Sequence, residues 1–218
     1  MELNIRHPDS VVRIKVPVVE LLGRALARLR RQRAYQRVLR RGGGRVEGLV
    51  AWLVEADACL RELARPELVL KPVSATVAGS GVIIGGRVKL DDEDLARDVA
   101  RGGQVSTYLL TLGFSQSEAF EALGRDYAAH HVQTDLAGEV LFELGRRSHR
   151  LQRAQSPGAR LRRVQVQASD LCGGRKVWDP ARVQALIGCF DDFNQGVTVT
   201  ETGCFQPLNS LLGLTIRL

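Results

Sequence analysis

The chain has 218 residues and a mass of 24.0 kDa, with 44% hydrophobic and 25% charged residues, enough for one sizeable core and unlike a disordered or fibrous composition. Four cysteines with no C-x-x-C pair, no apolar run long enough to span a bilayer and no basic-then-apolar leader point to a cytoplasmic protein. The net charge of +7 sits in residues 1 to 48, with 12 Lys/Arg against 4 Asp/Glu and a local net of +8, which leaves −1 for the rest; such a local excess steers anions but specifies no nucleic acid.

Val11 to Val16 reads as a strand, and Pro17 suits the first turn of a helix because its missing N–H has no partner there anyway. Leu22, Ala25, Leu26 and Leu29 give that helix a buried stripe, and Gly42-Gly43-Gly44 ends it. Its arginines, Arg24 to Arg41, read as a solvated face, with an anionic partner protein as the sharper alternative. Val46 to Leu63 is a second helix with Leu49, Leu53, Ala56 and Leu60 inward and Pro66 as its stop. Residues 67 to 89 switch to β-branched alternation broken by Gly79-Ser80-Gly81, the pattern of a hairpin.

Asp91 or Asp92 caps a short acidic helix ending near Gly102-Gly103, and Val105 to Leu112 is an uncharged buried strand. Ser115 or Ser117 opens another helix. A long one from Tyr127 to about Gln152 buries Val132, Leu136, Val140 and Leu144. Residues 152 to 160 read as a loop, Val164 to Val166 as strand, and Leu171 to Val177 as a glycine-containing loop. Pro180 opens a helix reaching about Phe190, and Val197 to Thr200 and Leu212 to Ile216 read as inner strands. Interleaving without regular β-α-β spacing predicts an α+β fold with a bent, largely antiparallel sheet flanked by helices. Residues 1–80 form the N-terminal part and 81–218 the core of a single domain.

No G-x-S-x-G, H-E-x-x-H, P-loop or dinucleotide fingerprint is present, so motif-bearing hydrolases and NTPases gain no support, and no catalytic residue or metal site is assigned. His131, Asp135 and Glu139 share one helix face at a spacing open to metal ligation, but no second cluster completes a shell, so a structural role is favoured. Cys189 and Cys204 read as small core residues, while Cys172 beside Gly173-Gly174 and Arg175 is a candidate reactive thiol. Glu201 is the single charge between Asp192 and Arg217 and must find partners, either tail backbone or a ligand.

The tail Gly196-Val-Thr-Val-Thr-Glu-Thr-Gly-Cys-Phe-Gln-Pro207, followed by Asn209-Ser210-Leu-Leu-Gly213, resembles the "G-x-x-L-T-E-S-x-x-M-x-P-x-x-S-V-S-G" of the activation, or S-adenosylmethionine-binding, domain of cobalamin-dependent methionine synthase. Thr200, Glu201, Pro207, Ser210 and Gly213 fall in register. Upstream, Tyr108 to Gly113 is similar to the family's "V-T-L-G" strand. Asp126 to Leu144 resembles its long helix, with Asp135 and Glu139 at acidic positions. Trp178 to Asp191 resembles its "W-P-L-E-x-Q-x-x-L-F-x-L-L-D" helix, with Gln184 and Phe190 matching. The likeness runs from about residue 80 to 218.

The resemblance implies a stand-alone accessory protein that binds and orients rather than catalyses. It would hold S-adenosylmethionine beside a corrinoid-binding protein or the other methionine synthase modules, so that oxidised cobalamin, carried by that partner, is reduced and remethylated. The implied ligand-binding residues are Glu139, Cys172, Gly173, Gly174, Arg175, Glu201 and Cys204. One motif departs. Counted back from Trp178, the family's "R-x-x-P-G-Y" loop has Gly174 for its glycine, Arg175 for its tyrosine and about Asp170 for the arginine that clamps the ligand carboxylate, which an acid cannot do. The alternative is therefore a relative that no longer binds S-adenosylmethionine and serves as a structural, chaperone-like or other small-molecule-binding subunit.

Overall fold

The computed structural model describes residues 11–166, 169–172, 175–194 and 196–218, of which 169–172, 175–178 and 192 are described by backbone alone. The first half runs β1 (Val12–Lys15), α1 (Val19–Leu29), α2 (Arg33–Arg41), α3 (Gly44–Leu63), β2 (Glu67–Val73), β3 (Ala75–Ala78), β4 (Gly81–Ile84), β5 (Val88–Leu90) and α4 (Glu93–Ala100). It continues with β6 (Gln104–Thr111), α5 (Gln116–Ala122), α6 (Tyr127–Gln155), β7 (Leu161–Val166), β8 (Ser169–Cys172), β9 (Arg175–Trp178) and α7 (Pro180–Ile187). A 3-10 turn (Gly188–Phe193), β10 (Thr198–Val199), β11 (Phe205–Gln206) and β12 (Ser210–Arg217) complete it.

The centre is a five-stranded sheet of order β1-β2-β6-β12-β7, antiparallel at every pairing. Period-two alternation splits its side chains between two cores. On one face Leu68, Leu70, Tyr108, Leu110 and Leu211 pack with α1, α3, α5 and α6. On the other, Val69, Leu109, Leu212, Leu214 and Ile216 pack with the β3-β4-β5 sheet, α4 and α7. The fold is thus α+β with a largely antiparallel sheet flanked by helices, as the sequence predicts. β1 and β2 from the N-terminal part and β6, β7 and β12 from the remainder share this one sheet.

Local signals account for most boundaries. Asp92 accepts from Leu95 N at 2.8 Å and caps α4. Ser115 and Glu118 form a reciprocal capping box on α5, and Asp126 accepts from Ala128 and Ala129 N at the head of α6. Pro72 pairs with Ser106 on β6 beyond the last residue that β1 covers, so its lack of an N–H leaves no neighbour unpaired.

Four expectations change. The first helix breaks at residues 30–32 instead of running to Gly42, and Gln32 is extended. In an unbroken helix Tyr35 would lie about 120° around from Leu29. The break re-aims it into the core, where it is 6% exposed and donates to Asp135 Oδ2 at 2.8 Å. α6 continues three residues past Gln152, and Ser156-Pro157 then ends it. The expected loop at Leu171 to Val177 is a β8–β9 hairpin pairing Cys172 with Arg175. Val197 to Thr200 is no inner strand: among the described residues Thr198–Val199 pairs only with Phe205–Gln206, because a turn from Thr200 to Gly203 folds the chain straight back.

Gly213 permits the sheet's tightest approach. Tyr108, its partner across β6 and β12, lays its ring over residue 213, so that a Cβ there would overlap Tyr108 Oη and Cζ and stand 2.5 Å from Val164 O. Gly213→Ala is expected to destabilise the protein by about 3 kcal/mol in urea unfolding; an unchanged midpoint would show that the ring can move aside.

Burial first, then the bond to Asp135 and its charge, raise the Tyr35 phenol above its ordinary pKa. The unfolded chain therefore loses this proton first, so the contribution is complete below about pH 10 and is lost as pH rises through the folded-state pKa. Wild type is expected to lose stability above pH 10 more steeply than Tyr35→Phe in melting curves taken across that range, and parallel curves would refute the assignment.

Candidate functional site

A cleft of about 580 Å³ opens on the helical face of the sheet between α1, α6 and the edge formed by β12 and β7. Tyr108 and Leu211 supply its sheet-side surface, Glu139, Phe142 and Gly145 come from α6, and Arg28 and Arg163 enter from α1 and β7. The geometry follows from two periods. Glu139, Phe142 and Arg146 recur at helical spacing, so α6 presents them along one side. On β7, Arg162 and Arg163 point to opposite faces: Arg162 Nε pairs with Asp98 Oδ2 at 2.8 Å on the far side, and Arg163 lines the cleft.

Charge in the cleft is largely compensated, with one exception. Arg28 Nε lies 2.9 Å from Glu139 Oε2 and its Nη1 lies 3.1 Å from Glu143 Oε1. Arg146 Nη1 also reaches Glu143 at 3.1 Å, and Gln32 Nε2 donates to Glu139 Oε1 at 2.9 Å. Glu143 is 4% exposed, so losing Arg28 would leave a carboxylate out of water with a weaker partner.

Arg163 has no carboxylate partner among the described residues. Its Nη1 donates to Gly145 O at 3.1 Å, and its guanidinium carbon stands 4.8 Å from the centre of the Tyr108 ring, in cation–π contact. A Cβ on residue 145 would come within 3.4 Å of Arg163 Nη2, so glycine leaves the guanidinium its room. The uncompensated charge is felt nearby: burial first, then Arg163 and Arg153, push His149 below the ordinary histidine range. A planar cation held at one edge, with donors left over, is suited to receive a ligand carboxylate.

The sequence-derived candidates divide. Glu139 lines this cleft. Glu201 and Cys204 are exposed on the β10–β11 turn, and that hairpin packs through Val199 and Phe205 against the core on the opposite face of the sheet. The structure does not bring them to Glu139. Tail backbone is satisfied by Thr200, whose Oγ1 accepts from Cys204 N at 3.1 Å and bonds Thr202 Oγ1 at 2.8 Å. Cys204 is therefore no core residue, whereas Cys189 is buried and donates to Ala185 O. Gly173 and Gly174 lie outside the described residues, as do the side chains of Cys172 and Arg175.

The His131, Asp135 and Glu139 series makes no metal cluster: among the described residues none is present. Asp135 accepts from Tyr35, Glu139 is engaged by Arg28 and Gln32, and His131 is 79% exposed and 3.9 Å from Asp135. Sequence reading passed over Arg28, Tyr108 and Arg163. For Arg163 a signal exists in the pairing of a lone guanidinium with an aromatic on one face of the sheet, across β12 from each other, but it emerges only when strand order and register are known. No helix among the described residues is long and apolar enough to cross a membrane.

No family model matches the chain, and no curated protein matches it. Its fold is similar to that of the MetH reactivation domain bound to AdoHcy, seen in a crystal structure, with a TM-score of 0.61 at 16% sequence identity over 96% of this chain and 78% of that one. At that identity the likeness carries the architecture, and the chain has the α+β fold of a methionine synthase reactivation domain.

Proposed function

We propose that this protein is an accessory protein of a corrinoid-dependent methyltransferase: it holds an S-adenosylmethionine-class ligand in the Glu139–Arg163 cleft and docks on a corrinoid-bearing partner to assist its reductive remethylation. The cofactor supplies the chemistry, since cobalamin on the partner, once reduced by a separate donor, takes the methyl group. The chain's own residues bind and orient.

One observation carries the reading. In a fold shared with a domain bound to AdoHcy, a carboxylate and a guanidinium that has no acid partner among the described residues line the same cleft. The ligand's amino-acid end has the complementary pair, a carboxylate for Arg163 and an ammonium for the remaining lone pairs of Glu139. Arg163 thus offers the clamp whose expected place at Asp170 holds an acid. The exposed ring of Phe142 and the side chain of Leu211 give apolar surface for the remainder. Cys172, Gly173, Gly174 and Arg175 stay proposed as ligand contacts from the β8–β9 hairpin, and the reading needs nothing from Glu201 or Cys204.

Calorimetry with S-adenosylhomocysteine tests it. Wild type is expected to bind, Arg163→Met to bind at least about tenfold more weakly through the lost charge-assisted pair, and Glu139→Gln to fall between them. Neither S-adenosylmethionine nor S-adenosylhomocysteine binding to wild type would overturn the ligand assignment in favour of a relative that kept the fold for another small molecule or a structural role.

A further inference from the structure

We infer that the outward face of α2 is a docking surface for an acidic face of the corrinoid-bearing partner, an inference that rests on the function proposed above. α2 is sharply two-sided. Tyr35 is buried, and Val38 and Leu39 pack against the helical core. Arg33, Arg37, Arg40 and Arg41 fall within about 100° of arc on the other side at 3.6 residues per turn. Arg30 and Arg31 flank one end and Arg45 the other, and all seven are exposed.

Several arginines elsewhere in the molecule find acids: Arg13 with Glu67, Arg28 with Glu139, Arg97 with Asp94 and Arg162 with Asp98. The local sequence offers α2 none, for no Asp or Glu occurs between Glu20 and Glu47. Among the described residues these seven guanidiniums have no ion-pair partner. Arg33, Arg37 and Arg41 repeat at four-residue spacing, where like charges repel. A surface carboxylate cluster would relieve that repulsion, and the guanidinium fork suits carboxylates.

The composition of the face discriminates among polyanions. No large hydrophobic side chain is exposed on α2, so it lacks what an interfacial helix inserts into a bilayer. No aromatic is exposed there either, so it lacks the platform on which bases stack. Its position favours a protein with business at the cleft. Gln32, in the turn before α2, donates to Glu139, and Tyr35 donates to Asp135 one turn earlier on α6. The N-terminal end of α2 therefore borders the cleft through Gln32, while its arginines face away from α6. A charged surface without an apolar centre gives fast, salt-sensitive, short-lived encounters, as suits a partner that must leave after each rescue.

The test uses the full chain and an immobilised cobalamin-loaded corrinoid-binding protein, with association rates read at low and at physiological salt. Wild-type association is expected to slow as salt rises. The triple variant Arg33→Glu, Arg37→Glu, Arg41→Glu is expected to associate at least about tenfold more slowly with a flattened or inverted salt dependence, while its melting and its S-adenosylhomocysteine affinity stay at wild-type values. The matching Arg→Gln variant should show a smaller loss in the same direction. If wild type binds the corrinoid protein and both variants bind equally well, this docking face is wrong and the proposed function stands. If wild type does not bind it at any salt, the proposed function falls and this inference with it. Tighter wild-type binding to a duplex oligonucleotide or to anionic phosphatidylserine vesicles, lost in the variants, reassigns the arginines to that polyanion and also overturns the proposal.

Discussion

The close approach of Tyr108 to residue 213 is the constraint on which the site depends. A fully buried aromatic on a central strand ordinarily stands up from the sheet into the helical layer. Here its ring lies across β12 towards β7, and it can do so only because residue 213 has no side chain to displace. The ring then becomes a surface for Arg163 to cover. Gly145 repeats the device one layer up, where its missing side chain lets Arg163 reach the α6 carbonyl. Two glycines on different elements, one below the guanidinium and one above it, hold a cation in place without spending a carboxylate on it. That is why the positive charge at the cleft edge stays available.

The acids on α6 have the opposite arrangement. Glu139 and Glu143 are drawn out of solvent, and Arg28 from α1 answers both. This cross-brace, together with Tyr35 on Asp135, ties α1 and α2 to the long helix at successive turns. The first helical segment breaks for another reason: an unbroken helix would set Tyr35 about 120° around from Leu29, away from the core in which both are buried. The break that buries Tyr35 turns the arginines of α2 outward, so the internal packing and the external charge have one cause.

What the sequence made legible follows its periodicities. α3, α6 and β12 are long, regular and apolar on the buried side, so their existence, direction of burial and place in the core could be read from spacing alone. The break near residue 31 was hidden because both halves are good helix, and the decisive fact, Tyr35's need for the same core as Leu29, is a tertiary one. The pairing of β8 with β9 was hidden because Gly173-Gly174 in the sequence signals a turn and a loop alike. Glu201 looked important because it is alone in a neutral segment. Isolation in sequence, however, does not bury a residue, and a tight turn between two-residue strands leaves it in water. Arg163 was missed for a different reason: counting back from Trp178 assumes an unchanged connection, and the arginine that lines the cleft lies further back, on β7.

The division of candidates between two faces bears on how the protein can be approached. Glu139, Arg163 and the exposed Phe142 all open towards the helical layer, whereas the β10–β11 turn belongs with α7 and the second core on the far side. Anything that reaches Glu139 and Arg163 from outside has to arrive over α6 and the β7 edge. The sheet itself blocks any approach from the far face, since β6 and β12 pack without a gap where Tyr108 crosses them. The glycine that shapes the cleft therefore also closes the route behind it, and access to the cleft is confined to one side of the molecule by the same contact.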